Sequence, residues 1–191
     1  MRFLLIALFL SFWGVSVAFP VAIQLPDLKE AATTSSTTAK KPTSAQVMQA
    51  AQNFANDANT VSSSLNNLGT ATDSKTIKTL ATTAFKAESD ENAQRATLFA
   101  AAGSAGSSSN TKIVQNTPAV LTGLKNIMNS PTTKTTASNV KTIEAARNPQ
   151  ILPSITQLSN SALKAVGMPA TAQKFTATTG SQKIAAAAKG N

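Results

Sequence analysis

The chain has 191 residues, 17 basic and 8 acidic side chains, a net charge of +9, and no cysteine, histidine or tyrosine. Those absences exclude a disulfide framework, a thiol nucleophile, a Ser-His-Asp triad and an ordinary zinc or copper site. The positive charge favours anionic surfaces. The lysines are dispersed, however, and aromatic residues for base stacking are few, so nucleic acid is not an expected partner.

The opening MRFLLIALFLSFWGVSVAFP sets Arg2 before an apolar run, Phe3 to Val15, with small residues at Ser16 and Ala18. This is the layout of a secretory signal peptide over residues 1–18, and the run is too short for a comfortable membrane span. Cleavage after Ala18 removes Arg2 and the only tryptophan, Trp13, leaving a net charge of +8. The expected location is extracellular, with a place at the cell wall in view. Residues 19–43 carry three prolines and the hydroxyl run TTSSTT, which reads as a disordered leader open to O-linked sugar. Lys40-Lys41 resembles a dibasic processing site that Pro42 hinders.

From Ser44 the pattern turns helical. Val47, Ala51, Phe54, Ala58, Val61, Leu65 and Leu68 alternate steps of four and three, a seam on one side of a helix that Gly69 ends. Asp73 caps a second helix running to about Ala102. GSAGSSSN then reads as a flexible connector. Thr117-Pro118 opens a third helix to residue 129, a short helical turn preceding it. A fourth spans about 135–147 and stops at Asn148-Pro149. A fifth starts at Pro153, carries Ile155, Leu158, Ala162 and Val166 on one face, and closes at Gly167. The expected fold is all-α: a compact bundle of four to five amphipathic helices over 44–167, with a flexible tail over 168–191.

The stretch AFKAESDENAQR on the second helix concentrates the acids. At about 100° per residue, Glu88, Glu91 and Arg95 fall within about 40° of Ile77, inside the apolar stripe, while Asp90 points to solvent. Buried charges need partners. Glu91 and Arg95, spaced i, i+4, are expected to pair, and Arg147 on the fourth helix is the expected cation for Glu88, with Glu144 flanking it. The functional alternative is a dicarboxylate site for acid/base work or a hard metal. Di-iron bundles use acid-x-x-His pairs, and this chain has no histidine, so Glu88, Glu91, Arg95 and Arg147 are read as a structural ion network. No catalytic residue, metal ligand or cofactor site is assigned. Phe54, Val61, Phe85, Phe99 and Leu124 are the candidate lining for an apolar ligand in a slot between helices.

The signal peptide, the cysteine-free Ser/Thr/Ala-rich helical body and the seam Val47-x3-Ala51-x2-Phe54 make the chain resemble small secreted proteins of filamentous fungi. Within these, it is similar over roughly 44–167 to the hydrophobic-surface-binding protein family, which includes cell-wall galactomannoproteins. The segments AFKAESDE, NTPAVLTGL and NPQILPSITQLSNSAL look like the signature of another fungal secreted group. The resemblance implies a monomeric, non-enzymatic bundle that binds apolar surfaces or lipid. The alternative is a secreted effector or elicitor acting on a host protein or membrane, relevant to virulence. An enzyme using Glu88 and Glu91 ranks last.

Overall fold

The computed structural model describes residues 40–189. The expected signal peptide and nearly all of the expected leader lie outside the described residues. Six α-helices follow in order: α1 (Ser44–Leu68), α2 (Ser74–Ala102), α3 (Ser107–Asn129), α4 (Thr133–Ala146), α5 (Leu152–Ala165) and α6 (Gly180–Lys189). No strand occurs among the described residues, and none of their helices is long and apolar enough to cross a membrane. The all-α bundle is as expected.

The α1 helix begins with a reciprocal cap. The Thr43 hydroxyl accepts the Gln46 backbone N–H at 3.3 Å, and the Gln46 side-chain oxygen accepts the Thr43 N–H at 2.9 Å. Its seam residues Val47, Phe54, Ala58, Val61, Leu65 and Leu68 are buried, while Ala51 is half-buried. The Asp73 carboxylate caps α2 by accepting the Thr76 N–H at 2.8 Å. Alanines at 81, 84, 87, 101 and 102 form much of the buried side of α2. Small side chains there let neighbouring helices approach closely.

Three expected breaks are not breaks. GSAGSSSN folds as a 3-10 turn, Gly103–Gly106, running directly into α3. Tertiary packing fixes it: a Cβ on Gly106 would lie 2.7 Å from Leu158 Cδ1, and Ser109 donates to Gln157 Oε1 at 3.1 Å. Pro118 sits inside α3 rather than at its start. Pro118 offers no N–H to the Val114 carbonyl, but both residues are exposed, so water can take that carbonyl. At Asn148-Pro149 the helical path continues through a π-helical turn, Arg147–Ile151, into α5, and the wider turn accommodates the proline ring. Gly167, at φ +77°, does end α5 as expected. Its N–H reaches the Lys164 carbonyl and the Met168 N–H reaches that of Leu163, the pair of bonds that closes a helix through a left-handed residue.

The tail is the largest correction. Residues 168–179 run as an extended strap and residues 180–189 form α6, tied to the bundle by side chains of other helices. Asn160 Oδ1 accepts the Ala172 N–H at 2.9 Å, Asn148 Oδ1 accepts the Thr178 N–H at 3.0 Å, and Asn66 Oδ1 accepts the Thr179 N–H at 2.8 Å. Glu144, expected near the ion network, instead holds the first turn of α6. Its Oε1 accepts the Gly180 N–H at 2.7 Å and its Oε2 accepts the Ser181 N–H at 3.2 Å and the Ser181 hydroxyl. A carboxylate at a helix N-terminus satisfies donors that the helix cannot and matches its dipole.

Gly180 is buried between α1 and α4, where an added Cβ would run into the Leu65 carbonyl and approach Val140 Cγ1 to 3.1 Å. Gly180→Ala is expected to cost about 1–3 kcal/mol through overpacking. A roughly 2–4 °C fall in Tm per kcal/mol, together with faster tryptic cleavage at Lys183, would report the loosened α6.

Candidate functional site

Two features stand apart from ordinary apolar packing: a buried charge centre and an apolar cleft. The charge centre grows from Arg147, the first residue of the π-helical turn, whose side chain is wholly buried. Its Nη2 donates to the Ala58 carbonyl of α1 at 2.8 Å and lies 3.7 Å from Glu91 Oε1 of α2. One guanidinium thus joins the α4–α5 junction to both long helices. Glu88, at 0 % exposure, and Glu91, at 3 %, are buried as their helical angles required.

The pairing differs from expectation. Arg147 takes Glu91, not Glu88, as its ion partner. Arg95 does not pair with Glu91; it is half-buried and its Nη1 donates to Asn110 Oδ1 of α3 at 2.6 Å. Among the described residues no donor meets a Glu88 or Glu91 oxygen in good hydrogen-bond geometry, although the Thr117 side chain stands near Glu88, and Arg147 Nε and Nη1 meet no acceptor. Helical angle specifies the face on which a side chain lies, but a long side chain's partner depends on the neighbouring helix's depth and register.

Two carboxylates share one buried guanidinium, so a second negative charge is poorly compensated. Burial pushes the Glu91 carboxyl well above the usual glutamate range; Glu88 adds to this, Arg147 opposes it, and Asp57 on α1 adds further. Burial also raises Glu88, with Arg147 and the Thr117 side chain pulling the other way. Asp57 is raised by partial burial and by Asp90. Two acids with elevated affinity for a proton suit proton exchange. Glu88 and Glu91 are buried, and neither lines the clefts between α1 and α2, beside α6 or on the outward side of α2. Among the described residues no three acidic, histidine or cysteine side chains converge as metal ligands.

The five candidate lining residues sit elsewhere than in a slot. Phe54, Val61 and Leu124 are fully buried in the core, and Phe85 and Phe99 pack half-buried against it. None of them lines those three clefts. The largely apolar cleft, about 400 Å³, lies where the α1–α2 corner, the start of α4 and helix α6 meet. Leu68, Ala71, Ile184, Ala187 and Ala188 line it, with Lys134 at its edge. Sequence reasoning missed it because one wall is α6, which lies in the stretch expected to be a flexible tail and which docks through Glu144. A second cleft, about 530 Å³, opens between α1 and α2 and is polar, with Asn53, Asn56, Asp57, Ser89, Asp90 and Asn92 along it. Comparison with protein-family models, curated proteins and solved structures finds no match to the chain.

The buried acids fix the sign of a pH dependence. A carboxyl whose folded value exceeds its unfolded value binds its proton more tightly when folded. Its contribution to stability is complete below the ordinary value of 4.5 and is lost as pH rises through the folded value. Asp73 acts oppositely: its capping hydrogen bonds hold its carboxyl below the ordinary 3.8, so its contribution is lost only as the pH falls through that depressed value. Tm is therefore expected to fall as pH rises from about 5 to about 8, and Glu91→Gln to flatten that slope and raise Tm at the alkaline end. Arg147→Ala, which strands the buried acids, is expected to cost about 3–5 kcal/mol in urea unfolding.

Proposed function

We propose that this is a secreted, extracellular, non-enzymatic protein that takes the hydrocarbon part of a lipid-like amphiphile into the cleft between the α1–α2 corner, α4 and α6. The cleft's chemistry carries this reading. Its volume, about 400 Å³, lies within the roughly 300–1,000 Å³ of small-molecule sites. Leu68, Ala71, Ile184 and the α6 alanines offer methyl and methylene surface, and Lys134 supplies a cation at the edge for an anionic end. The non-enzymatic part is supported by the burial of Glu88 and Glu91, neither of which lines this cleft or the two others described.

This location differs from the core slot expected from Phe54, Val61, Phe85, Phe99 and Leu124. It sets the ligand against α6, which Glu144 anchors at its first turn and which half-buried Ile184 and a bond from Lys183 Nζ to the Asn66 carbonyl hold just beyond it. The wall is thus firm at one end and exposed along most of its length, which suits admission of a chain without opening the core.

The protein recovered from a secreting host should carry acyl chains that organic extraction and mass spectrometry detect. Stripped of them, it should give a saturable one-to-one fluorescence enhancement with dansyl-undecanoic acid. Ala187→Trp should fill the cleft and weaken that binding about tenfold or more, a loss of ~1.4 kcal/mol, with Tm unchanged. Lys134→Glu should weaken the carboxylate probe more than its methyl ester. A clean protein with no saturable enhancement would sink the reading.

A further inference from the structure

Among the described residues all 13 lysines are exposed, whereas Glu88, Glu91 and Glu144, three of the six acids there, are buried. Folding therefore conceals negative charge and leaves the surface more basic than the sequence total implies. Lys75, Lys78 and Lys86 concentrate that charge on the outward side of α2. They fall within about 60° of one line along the helix, opposite buried Ile77, and span about 16 Å of its length. Thr79, Thr82 and Thr83 lie between them, and together these side chains border a shallow trough of about 410 Å³. Asp90, one turn beyond Lys86, ends the stripe. None of the three lysines forms an ion pair; Glu91 with Arg147 is the only pair among the described residues.

We propose that this lysine–threonine face of α2 is a docking surface for an anionic phospholipid bilayer. The stripe begins three residues after Thr72, which lines the apolar cleft, and Lys134 stands at that cleft's edge. A bilayer held on the stripe lies next to the cleft mouth. This continuity favours a lipid surface over an acidic polysaccharide, which would use the lysines but have no use for the cleft. The mode is peripheral and electrostatic: the exposed large hydrophobic side chains are Met48 and Val114, on α1 and α3, not on this face. Docking stands on the charge distribution; what it accomplishes rests on the ligand reading of the cleft.

The test is co-sedimentation of the secreted protein with vesicles of phosphatidylcholine alone or with about 30 % phosphatidylserine. Binding is expected only to the anionic vesicles and should vanish at about 0.5 M salt. Lys75→Ala, Lys78→Ala and Lys86→Ala together should lower partitioning on the order of a hundredfold, each lysine near such a surface contributing about fivefold, with Tm unchanged. Equal binding to both vesicle types, no binding to either, or indifference to the triple substitution would overturn the proposal. Retention on polygalacturonate without vesicle binding would also overturn it and assign the stripe to a polysaccharide. Ala187→Trp should leave docking intact; if fatty-acid binding is absent while anionic docking persists, the cleft reading fails and the docking surface stands.

Discussion

A guanidinium with no solvent exposure sits where four helices approach one another, and much of the architecture can be derived from its needs. Arg147 is anchored to the Ala58 carbonyl of α1 and faces Glu91 of α2. A buried cation is tolerated only with compensating charge and acceptors, so the α4–α5 junction must sit at one depth against the α1–α2 pair. The π-helical turn at Arg147–Ile151 fits this constraint. It widens the helix where Arg147 enters the core and where Pro149 could not continue a regular α-helix.

The second carboxylate changes the character of that anchor. One guanidinium balances one acid, and Glu88 makes the pair into a trio whose neutral form contains a proton. Burial favours that proton's retention at both acids, the neighbouring Glu88 and Asp57 charges favour it further at Glu91, and Arg147 opposes it. The centre is therefore more compatible with mildly acidic surroundings than with alkaline ones. This behaviour belongs to the core and needs no ligand. It also accounts for two acids buried in an α2 stripe otherwise rich in alanine, where small side chains provide modest apolar area and polar groups supply specificity.

Regular periodicity made α1 legible residue by residue, and angular position alone put Glu88 and Glu91 inside. What angle could not supply was reach. Arg95 projects from almost the same direction as Ile77, yet its guanidinium leaves the stripe for Asn110. Proline and glycine depart from their local preferences for a related reason, because the surroundings decide whether each one breaks a helix. Pro118 lies on a wet helix face, Pro149 within a π turn, and Gly106 against Leu158. The tail was illegible for a different reason. Its backbone donors are captured by Asn66, Glu144, Asn148 and Asn160. The information that orders residues 168–189 is thus written in helices far away in the chain.

The same placement of acids governs the exterior. A carboxylate used to hold Arg147, or to cap α6, is removed from the surface, while every described lysine remains there. Exchanging Glu144 for a neutral cap would remove one buried acid without adding a single surface charge. The outward potential is therefore set mainly by lysine positions, not by the overall excess of base over acid. The α2 helix shows both uses within one element: its buried side carries the acids that fix the bundle, and its opposite side carries Lys75, Lys78 and Lys86. A sequence change that moved an acid from the first side to the second would weaken the core and neutralise the surface at once. Internal electrostatics and external charge are in this sense one constraint on α2, met by a single helical pattern.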